Sequence, residues 1–231
     1  MMKIDWFIHF LHLLFPQSCV VCGGRLLSQD KYVCFHCKAE MPLVRDRLLK
    51  GNEVEQRFWG QLPIERASSL FYYIHENNYR RIVIQLKYNG QEEIGEVMGK
   101  YMADGLLQTD FFEGIEVIIP VPLHPKKRRL RGYNQSECIA LGVSQTTNIP
   151  LDTVTVERKV ANVTQTHKNH QERWDNVENI FAVIYPERIQ GKHILLIDDV
   201  LTTGATLLSC AGEISKVSGV KISILTLAFV P

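Results

Sequence analysis

A chain of 231 residues can bury one large hydrophobic core and still carry a small appended module. Its 45% hydrophobic and 22% charged residues are ordinary for a soluble globular protein. The formal net charge of +1 provides no global field toward nucleic acid or an anionic membrane, so any basic function must be local. No stretch approaches the roughly eighteen uninterrupted apolar residues of a membrane span.

In chain order, Met1 to Phe15 is apolar, but Asp5, His9 and His12 interrupt it and no small-residue cleavage site follows, so it is not read as a signal peptide. Ile4, Phe7, Ile8, Leu11, Leu14 and Phe15 fall at helical spacing, predicting a short amphipathic helix that packs on the protein body or on a partner. Docking on a membrane surface is the weaker alternative, because a basic flank is missing.

Four of the six cysteines, Cys19, Cys22, Cys34 and Cys37, form two C-x2-C pairs separated by eleven residues. Each pair can chelate from a tight turn. Four thiolates favour tetrahedral Zn²⁺ with no open position, and hence a structural ion. Iron–sulfur or redox chemistry is the alternative. His36 lies between ligands and is read as a bystander, and Cys138 and Cys210 as small core residues. The expected organisation is a helix and zinc finger over residues 1–40, a connector over 41–65 and an α/β domain over 66–231.

Within the last unit, strands are predicted over Ser68–Ile74, Ile115–Val121, Asp152–Glu157, Ile194–Ile197 and Lys221–Val230. Helices are predicted over Asn77–Leu107, with a break near Asn89-Gly90, over Asn134–Thr147 and over Leu207–Val217. Such alternation implies a mostly parallel sheet with helices on both faces and ligands at the carboxyl ends of its strands.

Three segments carry chemistry. From Pro120 to Gln135 a strand ends in prolines, and five basic residues then crowd the six positions Lys126–Arg131, with no acid from Val117 to Ser136. This is read as a rigid loop without regular structure. Leu123, His124, Lys126, Lys127, Arg128 and Arg129 would line a pyrophosphate site, although the same charges could grip nucleic acid or simply be solvated. From Glu157 to Asn179 a polar stretch without periodicity holds Arg158, Thr164, Gln165, Arg173 and Asn176, and reads as a flexible lid or an insert.

The third segment is the most informative: an apolar strand, Ile194–Ile197, then Asp198-Asp199, two spacers and Thr202-Thr203-Gly204-Ala205-Thr206 at a helix start. Hydroxyls and free N–H groups at a helix N-terminus suit a phosphate dianion. The two acids would repel that phosphate and must face sugar hydroxyls or a divalent cation. Phosphate on one side and polyol on the other describe a phosphorylated ribose. The competing reading is an ordinary βα turn.

This run resembles the phosphoribosyl pyrophosphate (PRPP) loop of type I phosphoribosyltransferases, and the Thr-Gln then Arg-x-x-Asn spacing resembles the glutamine–PRPP amidotransferase branch. Together with the four cysteines, Leu86-Lys87-Tyr88-x-Gly90 and Pro-Val-Pro-Leu-His-Pro…Arg-Gly-Tyr-Asn-Gln-Ser, it is similar to the ComF family of bacterial competence proteins. The resemblance implies a type I phosphoribosyltransferase-like α/β fold with an N-terminal zinc finger, acting in the cytoplasm during uptake of single-stranded DNA beside a helicase-like partner. It further implies that Asp198 and Asp199 hold the ribose of PRPP, one of them through Mg²⁺, while Thr202, Thr203, Gly204, Ala205 and Thr206 cradle its 5′-phosphate. Pentosyl transfer, ligand binding without turnover and a zinc-dependent protein adaptor remain three distinct expectations.

Overall fold

The computed structural model describes residues 18–88, 90–159 and 180–231. The N-terminal helix expected before Phe15 and the lid residues Thr164, Gln165, Arg173 and Asn176 lie outside them. Six strands are described: β1 (Arg66–Tyr72), β2 (Val117–Pro120), β3 (Val156–Arg158), β4 (Phe181–Val183), β5 (His193–Leu201) and β6 (Lys221–Phe229). Seven α-helices accompany them: α1 (Phe35–Ala39), α2 (Glu53–Gln56), α3 (Arg80–Tyr88), α4 (Glu92–Asp104), α5 (Pro125–Arg131), α6 (Gln135–Thr147) and α7 (Ala205–Ile214).

β1, β6, β5 and β2 form, in that order, one parallel sheet. The apolar runs that define β5 and β6 are buried on both faces, as a parallel sheet between helical layers requires. Alternate residues face opposite ways. Ile118, Leu195, Ile197, Leu225 and Leu227 pack with Leu86, Met98, Met102 and Ile139 of α3, α4 and α6. Val117, Ile119, Ile194, Leu196 and Ile224 pack with Leu207, Cys210 and Ile214 of α7, and with Val54, Phe58 and Phe181.

Local chemistry explains three departures from the sequence reading. The stretch expected as a strand over Asp152–Glu157 begins as a turn, because the Asp152 carboxylate accepts the N–H groups of Val154 and Thr155 (both 2.9 Å). Only Val156–Arg158 is extended, and it pairs antiparallel with β4 outside the main sheet. The basic segment expected to be irregular is helix α5. Pro125 sits in its first turn, where no N–H is needed; His124 Nδ1 accepts the Lys126 N–H (3.2 Å); and Gly132, at φ +87°, closes the end. The connector contains α2, capped by Asn52, and contributes Val44, Val54 and Phe58 to the core. The expected break near Gly90 separates α3 from α4, with that glycine at φ +66°.

Helices α4 and α6 meet through glycines. A Cβ on Gly99 would lie 2.1 Å from the Ile139 carbonyl oxygen, and one on Gly142 would lie 2.1 Å from that of Glu96. Backbone contacts of this kind cannot yield, so Gly142→Ala must spread the pair. Its expected cost is about 1–3 kcal/mol, read as a melting temperature lower by roughly 3–10 °C. An unchanged melt would mean that the helices can separate freely.

Candidate functional site

The acid pair stands at the carboxyl end of β5. Asp198 is buried, and its Oδ1 accepts hydrogen bonds from Ser136 Oγ (2.8 Å) and from the Asp199 N–H (2.9 Å). Burial, followed by the charge of Asp199, pushes the Asp198 carboxyl up to about 7. Asp199 is buried too. Its Oδ2 forms an ion pair with Lys87 Nζ at the end of α3 (3.2 Å) and takes no hydrogen bond among the described residues. One acid is therefore held by dipoles and the other by a charge.

Gly204, at φ +81°, turns the chain directly from Thr202-Thr203 into α7. Gly204 at the N-cap has no side chain to cap the helix, Thr203 Oγ1 accepts only the Ala205 N–H (3.4 Å), and Thr202, Thr203, Ala205 and Thr206 are exposed around the other first N–H groups. That is the arrangement an anion requires at a helix N-terminus.

These groups converge on a cleft of about 500 Å³. Asp198, Asp199, Thr202 and Thr206 line it together with Leu123, Lys127, Arg131 and Arg158 and with Tyr73, His75, Tyr88 and Val230. The basic helix is divided. Arg128 and Arg129 face a second cleft behind α5, also about 500 Å³, and Arg128 is paired there with Glu137 (3.2 Å). His124 serves as a helix cap, and Lys126 lines neither cleft. Thus only Lys127 of the four predicted cations at 126–129 joins the acids. The reason is helical periodicity, which a loop reading could not supply.

Lys87, Ser136 and Arg131 are among the members of the cleft to which sequence reasoning gave no individual role. Lys87 and Ser136 sit inside the motifs Leu86-Lys87-Tyr88-x-Gly90 and Arg-Gly-Tyr-Asn-Gln-Ser, and those motifs were the available signal. Asn134 anchors the second motif: its amide donates to the Val121 carbonyl (3.0 Å), and its oxygen accepts the Ser136 N–H (3.2 Å) at the start of α6.

The cysteines form a separate centre. The four Sγ atoms lie within 4.8 Å of one another, with Cys22 and Cys34 3.9 Å apart, against roughly 3.8 Å between sulfurs around a tetrahedral zinc. Backbone N–H groups point at the sulfurs, from Gly24 to Cys22 and from Cys34 to Cys19 (both 3.4 Å). Burial opposes ionisation of Cys19, but such donors outweigh it and hold that thiol down to about 7, as a thiolate ligand needs. The donor set fits a structural zinc ion. His36 pairs with Glu40 (3.1 Å) on the surface, away from the sulfurs' role. The knuckle is bolted to the α/β body: Tyr79 Oη donates to the Cys37 carbonyl (2.8 Å), Arg81 to that of Val21 (3.1 Å), and Tyr32 Oη to Glu93 (2.6 Å). None of its described residues lines the acid cleft.

Residues 10–48 match the family model of the double zinc ribbon domain. Three similar proteins cover most of the chain. The DNA utilization protein YhgH of Shigella flexneri is 28% identical over 84% of this chain and 82% of its own length. Competence protein F of Haemophilus influenzae is 28% identical over 89% and 86%, and competence protein ComFC of Bacillus subtilis 24% over 79% and 77%. Among solved structures, the glutamine PRPP amidotransferase of B. subtilis matches with a TM-score of 0.43 and 16% identity, over 61% of this chain and 30% of that one. A hypoxanthine phosphoribosyltransferase of Staphylococcus aureus matches with 0.36 and 19%, over 61% and 65%.

A parallel sheet with helices on both faces, an Asp-Asp/Thr-Thr-Gly-x-Thr loop at a strand end and a four-cysteine zinc ribbon define a phosphoribosyltransferase-like α/β protein. Within that class, the chain is similar over most of its length to the competence proteins F and ComFC. Among the described residues no helix is long and apolar enough to cross a membrane.

Proposed function

We propose that the chain binds PRPP or a closely related phosphoribosyl ligand and that this pocket serves DNA uptake in the cytoplasm. The observation that carries the reading is the meeting, in one cleft, of a paired carboxylate, an exposed helix N-terminus whose N-cap is a glycine, and the cations Lys127 and Arg131 beside Lys87 and Arg158. The loop from Thr202 to Thr206 takes the 5′-phosphate. Asp198 and Asp199 accept from the ribose hydroxyls, and Lys127 and Arg131 meet the pyrophosphate. Mg²⁺ would enter with the pyrophosphate, mostly clothed in phosphate oxygens and water, with the acid pair as its nearest carboxylates.

Such a site supports pentosyl transfer. The anomeric C–O bond breaks with its electron pair leaving on pyrophosphate, a lone pair of the acceptor forms the new bond to the anomeric carbon and the acceptor's proton passes to solvent, while Lys127 and Arg131 neutralise the charge that grows on the leaving group. An acceptor would lie against Tyr73, His75 and Val230, which line the same cleft. The names of the similar proteins, two of them competence proteins and one a DNA utilization protein, support the place in DNA uptake.

A second reading is favoured by the outward side of α5. Lys126, Arg128 and Arg129 are exposed and lie off the acid cleft, as a single-stranded DNA contact would require. A helicase-like protein is the partner we propose for the assembly.

Calorimetry with PRPP and Mg²⁺ tests both. The purified protein is expected to bind at sub-millimolar concentration, and silence at millimolar PRPP would end the phosphoribosyl reading. Lys127→Ala with Arg131→Ala should weaken PRPP binding at least tenfold, while Arg128→Ala with Arg129→Ala leaves it within about twofold, as the loss of one close charge pair implies. The second pair should instead reduce DNA binding and flatten its salt dependence. Equal loss of PRPP binding in both would refute the division of the helix.

A further inference from the structure

The two acids of the cleft are not held alike. Asp198 is satisfied by neutral donors, Ser136 Oγ and a backbone N–H, which fix its orientation without adding charge. Asp199 Oδ2 is buried and takes no hydrogen bond among the described residues, leaving the Lys87 ammonium at 3.2 Å as its compensation. Two adjacent buried carboxylates repel each other and lose their water. A cation is needed to keep the pair in place, and a fixed one serves best.

The end of α3 is built to fix it. Leu86 is fully buried, and its carbonyl accepts from Tyr133 Oη (2.6 Å). Tyr88 lies under the Arg131 guanidinium, 5.4 Å from the ring centroid. The residues on both sides of Lys87 are thus tied to the segment around α5, and its side chain crosses to β5. Lys127, Arg131 and Arg158 also line the cleft, but the structure records no ion pair from them to the acids.

We infer that Lys87 is a positioning residue for sugar recognition: its tethered ammonium holds Asp199, and through it the acid pair, in the arrangement that accepts two neighbouring hydroxyls. This rests on the phosphoribosyl reading above. It differs from a role as another pyrophosphate contact in one measurable respect. A residue acting through Asp199 matters to any ribose phosphate, including one without pyrophosphate.

The test compares ribose 5-phosphate with PRPP by calorimetry on the full chain. Lys87→Met is expected to weaken both by at least tenfold, and Lys87→Arg to recover most of the loss. In the background of Asp199→Asn, Lys87→Met should cost nothing further, because the carboxylate it serves has gone. Lys87→Gln, which keeps a donor of similar reach, serves in place of Lys87→Met if the latter does not fold. Weakened PRPP binding with unchanged ribose 5-phosphate binding would overturn the inference, and so would additive losses in the double variant. Native protein that binds neither compound removes the phosphoribosyl reading and this inference together. Native binding that is indifferent to Lys87 removes the inference alone.

Discussion

Asp198→Asn is expected to abolish ribose phosphate binding and, at the same time, to raise the stability of the protein at neutral to alkaline pH. The carboxyl is pushed up to about 7 in the native state, whereas in the unfolded chain it titrates near 4. The native state therefore holds this proton more tightly. Its stabilising effect is complete below the unfolded value and is lost as pH rises through the native one. Above pH 7 an ionised carboxylate sits buried beside Asp199 at a net cost. Asparagine keeps an oxygen for Ser136 Oγ and the Asp199 N–H and removes the charge. A gain of about 1–3 kcal/mol at pH 8, shrinking by pH 5, is the expected size. Thermal melts at the two pH values, run beside ribose 5-phosphate calorimetry, read both effects. A variant that melts lower than the native protein at pH 8, or that still binds the sugar phosphate, would contradict this account.

Cys37→Ser should have the largest structural effect. Cys37 is buried in the same apolar cluster as Leu70 and Phe71 of β1, and its carbonyl receives the Tyr79 hydroxyl. Structural zinc sites contribute on the order of 10 kcal/mol to the folding of small modules. Removing one thiolate opens the tetrahedron and leaves three sulfurs that repel when ionised. Metal content measured by elemental analysis is expected to fall from one zinc per chain to near none, with the melting temperature lower by roughly 10 °C or more. Chelation of the native protein should reproduce the shift. Iron in place of zinc, or a melt indifferent to both treatments, would show that the cysteines do other work.

The features legible in the sequence were local ones. The two C-x2-C pairs lie close in the chain, so their convergence could be read from spacing. β5 and its loop were legible because strand, acids, turn and helix start are consecutive. The division of α5 was not, since Pro125 marks a loop and a first helical turn equally well, and only His124 and Gly132 decide between them. Ser136 and Lys87 were missed for a different reason. Each meets its acid across a large sequence separation, and a serine or lysine carries no local mark of a buried partner. Phe58, two residues beyond α2, was overlooked because that helix is four residues long, too short for periodicity to emerge. Propensity and pattern see along the chain, whereas a binding site is assembled across it.

Helix α3 reaches between the two chemistries of the molecule. The Tyr79 hydroxyl just before it and Arg81 within it grip carbonyls of the cysteine knuckle, and Lys87, less than two turns further on, grips Asp199. A helix anchored at both ends offers a route for coupling, and linkage would make it reciprocal: whatever free energy the metal lent to the order of the cleft, a sugar phosphate bound there would return to the retention of the metal. The described residues of the zinc ribbon line no part of the acid cleft, and in this sense the ribbon would act as a ballast for the sugar phosphate pocket proposed above.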